Sequence, residues 1–347
     1  DYYVFPGVTY KFLDENNNIQ RVDIDDEHKF LSLLDNRLYT VITGEHKSGK
    51  SLIAKRIFKY FYDKGKNPLL IEASNINKRK VEKTIDYVFQ EEYKTDDFAY
   101  EKYKQLDKSQ RIAIIDEANM LFSRTLDTLI NFLEKHMSQI IVCSEEKINL
   151  NVRNQVVETL VHEHDLTLNI KPFLYDKRKI LISNILRHSG EEYDVEAETI
   201  KINDLINMQV KYFNLDPEFI ISFVNQYKKD ISFKFTTGIN VFNVVYESSI
   251  KNQIIVNSNE IDPTHVINIL RELAYKMHFE KRSSVKIDDI SQITEDYKNN
   301  YRQKVNIRSF IKAALNAKIL VENENEYRFR DRTIIAYFVA QALNQKY

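Results

Sequence analysis

One short segment of the chain carries the residue types and the spacing of a phosphate-binding loop. It fits the pattern G-x-x-x-x-G-K-[ST] and consists of Gly44, Glu45, His46, Lys47, Ser48, Gly49, Lys50 and Ser51, with Leu52 following. Glycine lets backbone N–H groups close around phosphate oxygens, while the lysine reaches the β- and γ-phosphates and the serine hydroxyl ligates Mg²⁺. The chain has six glycines in 347 residues, so two at this spacing are hard to attribute to chance. The segment predicts a site for ATP or ADP with Mg²⁺, in which the lysine serves both binding and catalysis.

Two carboxylates follow a predicted buried strand at residues 112–115. Ligands of open α/β sheets bind beyond the carboxyl ends of the strands. Asp116 would hold Mg²⁺ through water, and Glu117 would orient and deprotonate an attacking water, which suits hydrolysis. The alternative is a pair of helix N-terminal carboxylates favoured by the helix dipole. Ser144 ends the strand predicted over 139–143, where it would contact the γ-phosphate or the attacking water, or else only cap the strand.

The elements around these residues alternate between short apolar strands and helices. Strands are predicted at 38–43, 68–73, 112–115, 139–143 and 166–170, which indicates a parallel five-stranded sheet covered on both faces. After Pro172 helices dominate, and Asp216-Pro217 and Asp262-Pro263 each predict a helix start. The end of the chain, with its helix, hairpin and helix, is typical of a winged helix. We therefore predict an entry segment at 1–36, an α/β core at 37–174, a helical lid at 175–255 and a winged helix at 256–347.

Composition restricts the class of protein further. Lys plus Arg total 50 and Asp plus Glu total 51, so the chain lacks the basic excess of a dedicated nucleic-acid-binding domain. The single cysteine, Cys143, cannot form an internal disulfide, and no apolar run approaches the ~20 residues of a membrane-spanning helix. We expect a cytoplasmic protein without a membrane partner. The chain begins with Asp1, and we expect it to be a fragment with further domains on either side.

Taken together, the sequence resembles STAND-class NTPases, the AAA+-related P-loop group that includes NACHT and NLR-like proteins. The resemblance covers about residues 38–347 and rests on the loop at 44–51, the strand and carboxylates at 112–117, the segment Leu168 to Phe173, and an aromatic-basic strand and helix at 327–340. It implies a P-loop NTPase core, a helical lid and a winged helix around one nucleotide, with Pro172 near the adenine. Arg330 stands near the place of a phosphate-facing histidine in many NACHT members and could contact phosphate in its stead. Glu145 and Glu146 stand where the family often has an arginine.

The resemblance also implies a function. Family members are slow, regulatory ATPases that form homo-oligomers on activation, often in bacterial antiviral defence, and they couple a C-terminal sensor to an N-terminal effector. Those domains would lie outside this chain, and the winged helix or a fused effector could contact nucleic acid. The alternative is a DNA-acting AAA+ ATPase whose winged helix reads DNA, for which Arg308, Lys312 and Lys318 give modest support. A small-molecule kinase is disfavoured by Glu117 beside Asp116.

Overall fold

The computed structural model divides into two compact units, Asp1–Val224 and Asn225–Tyr347, and each is described by itself. The residues that the structure describes are 2–13, 19–45, 47–73, 76, 81–93, 97–121, 123–145, 151–152, 155–156, 165–188, 194–209, 216–229, 239–323, 326–330 and 332–346.

The first unit contains a large sheet and the helices that flank it. Its strands are β1 (Val8–Leu13), β2 (Ile19–Ile24), β3 (Tyr39–Thr43), β4 (Asn67–Glu72), β5 (Arg111–Asp116), β6 (Gln139–Ser144), β7 (Asn151–Val152), β8 (Gln155–Val156) and β9 (Asp165–Ile170). Its helices are α1 (Glu27–Leu33), α2 (Lys50–Asp63), α3 (Val81–Tyr93), α4 (Asp97–Gln105), α5 (Ser123–His136), α6 (Tyr175–Arg187), α7 (Val195–Gln209) and the start of α8 (Pro217–Lys229).

The sheet has the strand order β2-β1-β9-β3-β6-β5-β4. The five strands from β9 to β4 are parallel, as predicted. The two N-terminal strands form an antiparallel hairpin that extends the sheet beyond β9, and this attachment to the sheet is what the sequence analysis did not anticipate. Val8 pairs with Ile170 in this added register, and both side chains are buried, so burial of apolar surface favours the attachment.

Apolar side chains on both faces of the parallel strands explain why these strands form the centre of the unit. Every residue of β5 and β6 is buried. One core lies between the sheet and the α1 and α2 helices and includes Phe30, Ile42, Ile53, Ile57 and Ile114. The other lies between the sheet and α3, α4 and α5 and includes Val41, Ile71, Phe89, Leu129 and Leu133.

The strand order also decides which strand ends are neighbours. Strand β6 lies between β3, which leads into the phosphate-binding motif, and β5, which ends in the acidic pair. The carboxyl ends of these parallel strands lie at one edge of the sheet, with Thr43 opposite Ser144 in the register. The fold therefore presents the motif, the serine and the carboxylates along a single edge.

The helices that follow β9 include one pair held by a buried arginine. Arg178 of α6 donates from Nε to Asn203 Oδ1 at 3.2 Å and from Nη2 to Asn207 Oδ1 at 3.2 Å, both on α7. Burial lowers the pKa of this guanidinium. Neither α4 nor α7 was predicted. The predicted start of α8 is confirmed, since Asp216 Oδ1 accepts a hydrogen bond from Phe219 N at 2.7 Å.

The second unit is built from helices and a small sheet. After α9 (Ile239–Asn257), its elements are α10 (Pro263–Phe279), β10 (Val285–Lys286), α11 (Ile287–Tyr301), α12 (Ile307–Asn316), β11 (Leu320–Asn323), β12 (Glu326–Phe329) and α13 (Arg332–Lys346). The strands form an antiparallel sheet in the order β10-β12-β11. The predicted start of α10 is confirmed by the bond from Thr264 N to Asp262 Oδ1 at 2.7 Å. The predicted hairpin near the end of the chain is present as β11 and β12.

None of the helices within the described ranges combines the length and the apolar character needed to cross a bilayer.

Candidate functional site

The phosphate-binding motif lies between the end of β3 and the start of α2. A Cβ at Gly44 would stand 2.6 Å from Ser48 Oγ and 3.0 Å from Ile170 Cβ, so only glycine fits there without displacement. Gly49 caps the helix with φ 96°, a left-handed conformation that favours glycine. The two glycines therefore have different roles, close approach at the first and backbone conformation at the second. His46 lies outside the described residues.

Lys50 is directed into the loop rather than into solvent. Its side chain is buried, and Nζ donates to the carbonyl oxygens of Gly44 at 2.9 Å and Glu45 at 2.6 Å. The hydroxyl of Ser48 is also buried and has no hydrogen-bond partner among the described residues. Ser51 and Leu52 are exposed on the first turn of α2. The loop thus surrounds a cation and presents the start of a helix, the arrangement that binds phosphate.

The acidic pair lies at the end of β5. Asp116 is buried, and its Oδ1 accepts a hydrogen bond from the Glu117 backbone N–H at 2.9 Å. Glu117 is half-buried and adopts a left-handed conformation with φ 54° and ψ 36°. A residue with a Cβ pays about 1–2 kcal/mol for this conformation. The candidate base therefore stands on a strained turn, a feature concentrated at functional sites.

Ser144 connects the two halves of this edge. It is fully buried, and its carbonyl oxygen accepts a hydrogen bond from Gly44 N at 3.3 Å. The next residue, Glu145, donates its N–H to Asn119 Oδ1 at 3.1 Å. Asn119 follows the acidic pair in a short 3-10 helix at 118–120, so it ties the turn carrying Glu117 to the end of β6. The sequence analysis missed Asn119, because a lone asparagine two residues after a carboxylate carries no recognisable signal.

The charges of Lys50 and Asp116 both act on Cys143 of β6. Burial raises the pKa of the Cys143 thiol, the negative charge of Asp116 raises it further, and the positive charge of Lys50 lowers it. Cys143 precedes Ser144 on β6, so both charges act on the strand between them. The strand order agrees, since β6 with Ser144 lies between β3, which leads to Lys50, and β5, which ends in Asp116.

The oxygen donors at this edge suit Mg²⁺. Asp116 offers a carboxylate and Ser51 a hydroxyl, which are the hard ligands that Mg²⁺ prefers. Groups of three or more His, Cys, Asp or Glu side chains that could hold a metal do not occur within the described part of the chain. Mg²⁺ at nucleotide sites commonly takes one or two protein ligands together with waters and phosphate oxygens, so this sparse donor set fits it.

Pro172 and Arg330 are the two further predicted site residues. Pro172 is exposed just after β9 and lines an open groove of about 340 Å³ with the cations of Lys11, Arg21 and Lys171. Arg330 belongs to the second unit, where its backbone N–H donates to Ile319 O at 2.9 Å. Adenine contact by Pro172 and phosphate contact by Arg330 remain predictions.

The strand order, the loop between β3 and α2, and the carboxylates after β5 define a P-loop NTPase. Residues 283–339 match the model of a family described as Novel STAND NTPase 4, which agrees with the resemblance drawn from the sequence. No curated protein matches the chain.

Several solved structures are similar to the chain at low sequence identity. A Walker-type ATPase of Pyrococcus abyssi is 15% identical, with 90% of this chain and 93% of that chain covered and a TM-score of 0.43. Cdc6p from Pyrobaculum aerophilum is 11% identical, with coverages of 92% and 94% and a TM-score of 0.44. The Aeropyrum pernix ORC1 protein, solved in complex with DNA, is 9% identical, with coverages of 92% and 93% and a TM-score of 0.44.

Proposed function

We propose that this chain is the ATP-binding switch module of a STAND-type signalling ATPase that acts with Mg²⁺. The observation that carries the proposal is the buried Lys50 ammonium inside the loop. The loop follows β3, and one strand, β6, lies between β3 and β5, which ends in the buried Asp116 carboxylate. Two acceptors of Lys50 are neutral carbonyl oxygens, and a phosphate is a stronger acceptor than either for the same ammonium. Binding of a triphosphate would thus exchange weak acceptors for strong ones.

The residues around the loop have separable roles in this proposal. Ser51 and Asp116 would hold Mg²⁺, which when bound neutralises phosphate charge. Glu117 would accept a proton from the attacking water, and Ser144 would orient that water or contact the γ-phosphate. Asn119 would keep the turn that carries Glu117 in register with Ser144. Hydrolysis by such a site would be slow and would reset the module.

The switch part of the proposal comes from the family resemblance. The match over 283–339 supports it, and so does the order helix, strand, two helices, two strands and helix in the second unit, which is typical of a winged helix. We accordingly infer nucleotide-dependent homo-oligomers, a sensor and an effector outside this chain, and a cytoplasmic role in prokaryotic antiviral defence.

Two substitutions test the site. Lys50→Ala should abolish ATP binding measured by calorimetry, whereas Lys55→Ala, which removes an exposed lysine of the same helix, should leave it unchanged. Glu117→Gln should retain ATP binding and stop turnover. Unchanged affinity in Lys50→Ala would refute the site, and full hydrolysis in Glu117→Gln would remove Glu117 from the role of base. Light scattering with and without ATP tests the oligomer.

A second candidate function is a DNA-acting AAA+ ATPase, which the element order of the second unit favours. In a winged helix, α12 would be the helix that reads DNA. Glu260 lies against it, accepting hydrogen bonds from Lys312 Nζ at 2.6 Å and Ser309 Oγ at 3.3 Å, so a carboxylate opposes phosphate at this surface. Duplex binding that weakens steeply with salt, and tightens in Glu260→Gln, would favour this candidate over the signalling switch.

A further inference from the structure

The fourth residue of the phosphate-binding loop has a conformation that does not suit its side chain. Lys47 has φ 60°, in the left-handed region where glycine is favoured over any residue with a Cβ. A glycine here would form the same loop with less backbone strain. The lysine side chain is only 22% exposed, so it lies against the protein. The partner of its ammonium group therefore helps to explain why a lysine occupies this position.

The ammonium of Lys47 forms an ion pair with a helix far along the chain. Nζ lies 3.3 Å from Glu218 Oε2, and the Glu218 side chain is 43% exposed. Glu218 belongs to the first turn of α8, where Asp216 caps the helix and the side chains of Phe219 and Ile220 are buried. The carboxylate thus stands on the first turn of a capped helix, and it holds a cation of the loop that would surround phosphate.

A phosphate chain and this carboxylate compete for the same ammonium. Both are oxygen anions, and a triphosphate carries more negative charge than one carboxylate, so it is the stronger partner at close range. After release, the Glu218 carboxylate remains exposed to water and stays in the first turn of a helix, where the helix dipole favours negative charge. Exchange of partners therefore leaves neither charge buried and unpaired.

We propose that Glu218 is an internal competitor of phosphate, and that nucleotide binding transfers Lys47 from Glu218 to the phosphate chain and frees the first turn of α8. This inference rests on the proposed ATP site and adds its regulation. By thermodynamic reciprocity, the pair weakens nucleotide binding by the same factor by which nucleotide weakens the pair. Nucleotide binding at the loop would in this way change the contacts of α8, a helix that follows β9 in the chain.

The test measures ATP affinity in four variants of the full chain. Glu218→Gln should tighten ATP binding about two- to five-fold at low salt, the range for a partly exposed ion pair, and the gain should shrink as salt screens it. Lys47→Gly removes the competing cation, so adding Glu218→Gln to that variant should have no effect. Asp63→Asn is the matched control, because it removes one carboxylate from an exposed ion pair on α2 and should leave the affinity unchanged.

Hydrogen exchange provides a second readout in the unmodified chain. ATP should speed exchange in the first turn of α8, and in Glu218→Gln the exchange should be fast already without ATP. A gain in affinity that persists in the Lys47→Gly background, or that Asp63→Asn reproduces, would overturn the proposal, as would an unchanged affinity in Glu218→Gln. If ATP binds the unmodified chain and fails to bind Lys50→Ala, the nucleotide site stands. Any of these contrary outcomes would then overturn only the proposed competition by Glu218. Absence of ATP binding by the unmodified chain would overturn the site as well.

Discussion

The strained backbone at Glu117 predicts that a glycine variant is more stable than an alanine variant, which is the reverse of the usual order. Glycine normally destabilises a protein relative to alanine, because it has more freedom to lose on folding. At Glu117, with φ 54°, alanine keeps the left-handed penalty of about 1–2 kcal/mol, while glycine avoids it. Glycine also has more conformational freedom in the unfolded state, which offsets about 0.4–1 kcal/mol of this gain in stability. Glu117→Gly should therefore be more stable than Glu117→Ala by about 0.8 kcal/mol, the difference between the middles of the two ranges.

Both variants lack the carboxylate, so their difference isolates the backbone. For a unit of this size the expected difference in melting temperature is about 1–4 °C, with the glycine variant higher. The assay is thermal unfolding of the two proteins side by side, with urea unfolding as a check on the free energy. Both should have lost ATP turnover. Equal stability, or an alanine variant that is the more stable, would refute the inference that the turn is strained.

Three further predictions concern single residues. Gly44→Ala should weaken ATP binding at least tenfold in calorimetry, because the new Cβ would stand 2.6 Å from Ser48 Oγ. Asp289→Asn should destabilise the second unit by about 1.5–3 kcal/mol at pH 7, measured by urea unfolding, because Asp289 accepts two hydrogen bonds from Arg282. The pair holds the pKa of Asp289 below its usual value, so this stabilisation is full above the unfolded pKa near 4 and is lost as pH falls through the lower folded pKa. Cys143 should resist thiol reagents in the native protein and react in urea, because burial raises its pKa.

The central strands could be predicted because their signal is local. Apolar runs such as 112–115 and 139–143 must be buried on both faces, and the glycine spacing at 44 and 49 requires a loop between a strand and a helix. The helices at 97–105 and 195–209 were missed because polar residues interrupt or dilute their apolar positions. In the first of these helices, charged and polar residues outnumber the apolar ones.

Partners distant in sequence could not be predicted. The pairing of Val8 with Ile170, the bond from Glu145 to Asn119 and the ion pair between Lys47 and Glu218 each join segments that no local pattern connects. The left-handed turn at Glu117 is equally hidden, since a glutamate gives no sign of a positive φ. The sequence was thus enough to name residues of the candidate site, whereas the contacts that these residues make could be seen only in the structure.

The N-terminal hairpin has a consequence for how the sheet ends. Without β1, the β9 strand would present a row of unpaired backbone groups beside buried apolar side chains such as Leu166 and Leu168, a surface that invites pairing with another chain. The strand that now lies outermost on this side, β2, carries Arg21 and Asp23, and charged edges discourage such pairing. A shortened chain beginning at residue 37 would lose this protective border together with α1 and its buried Phe30, so its aggregation would report an uncovered edge and core rather than a damaged nucleotide site.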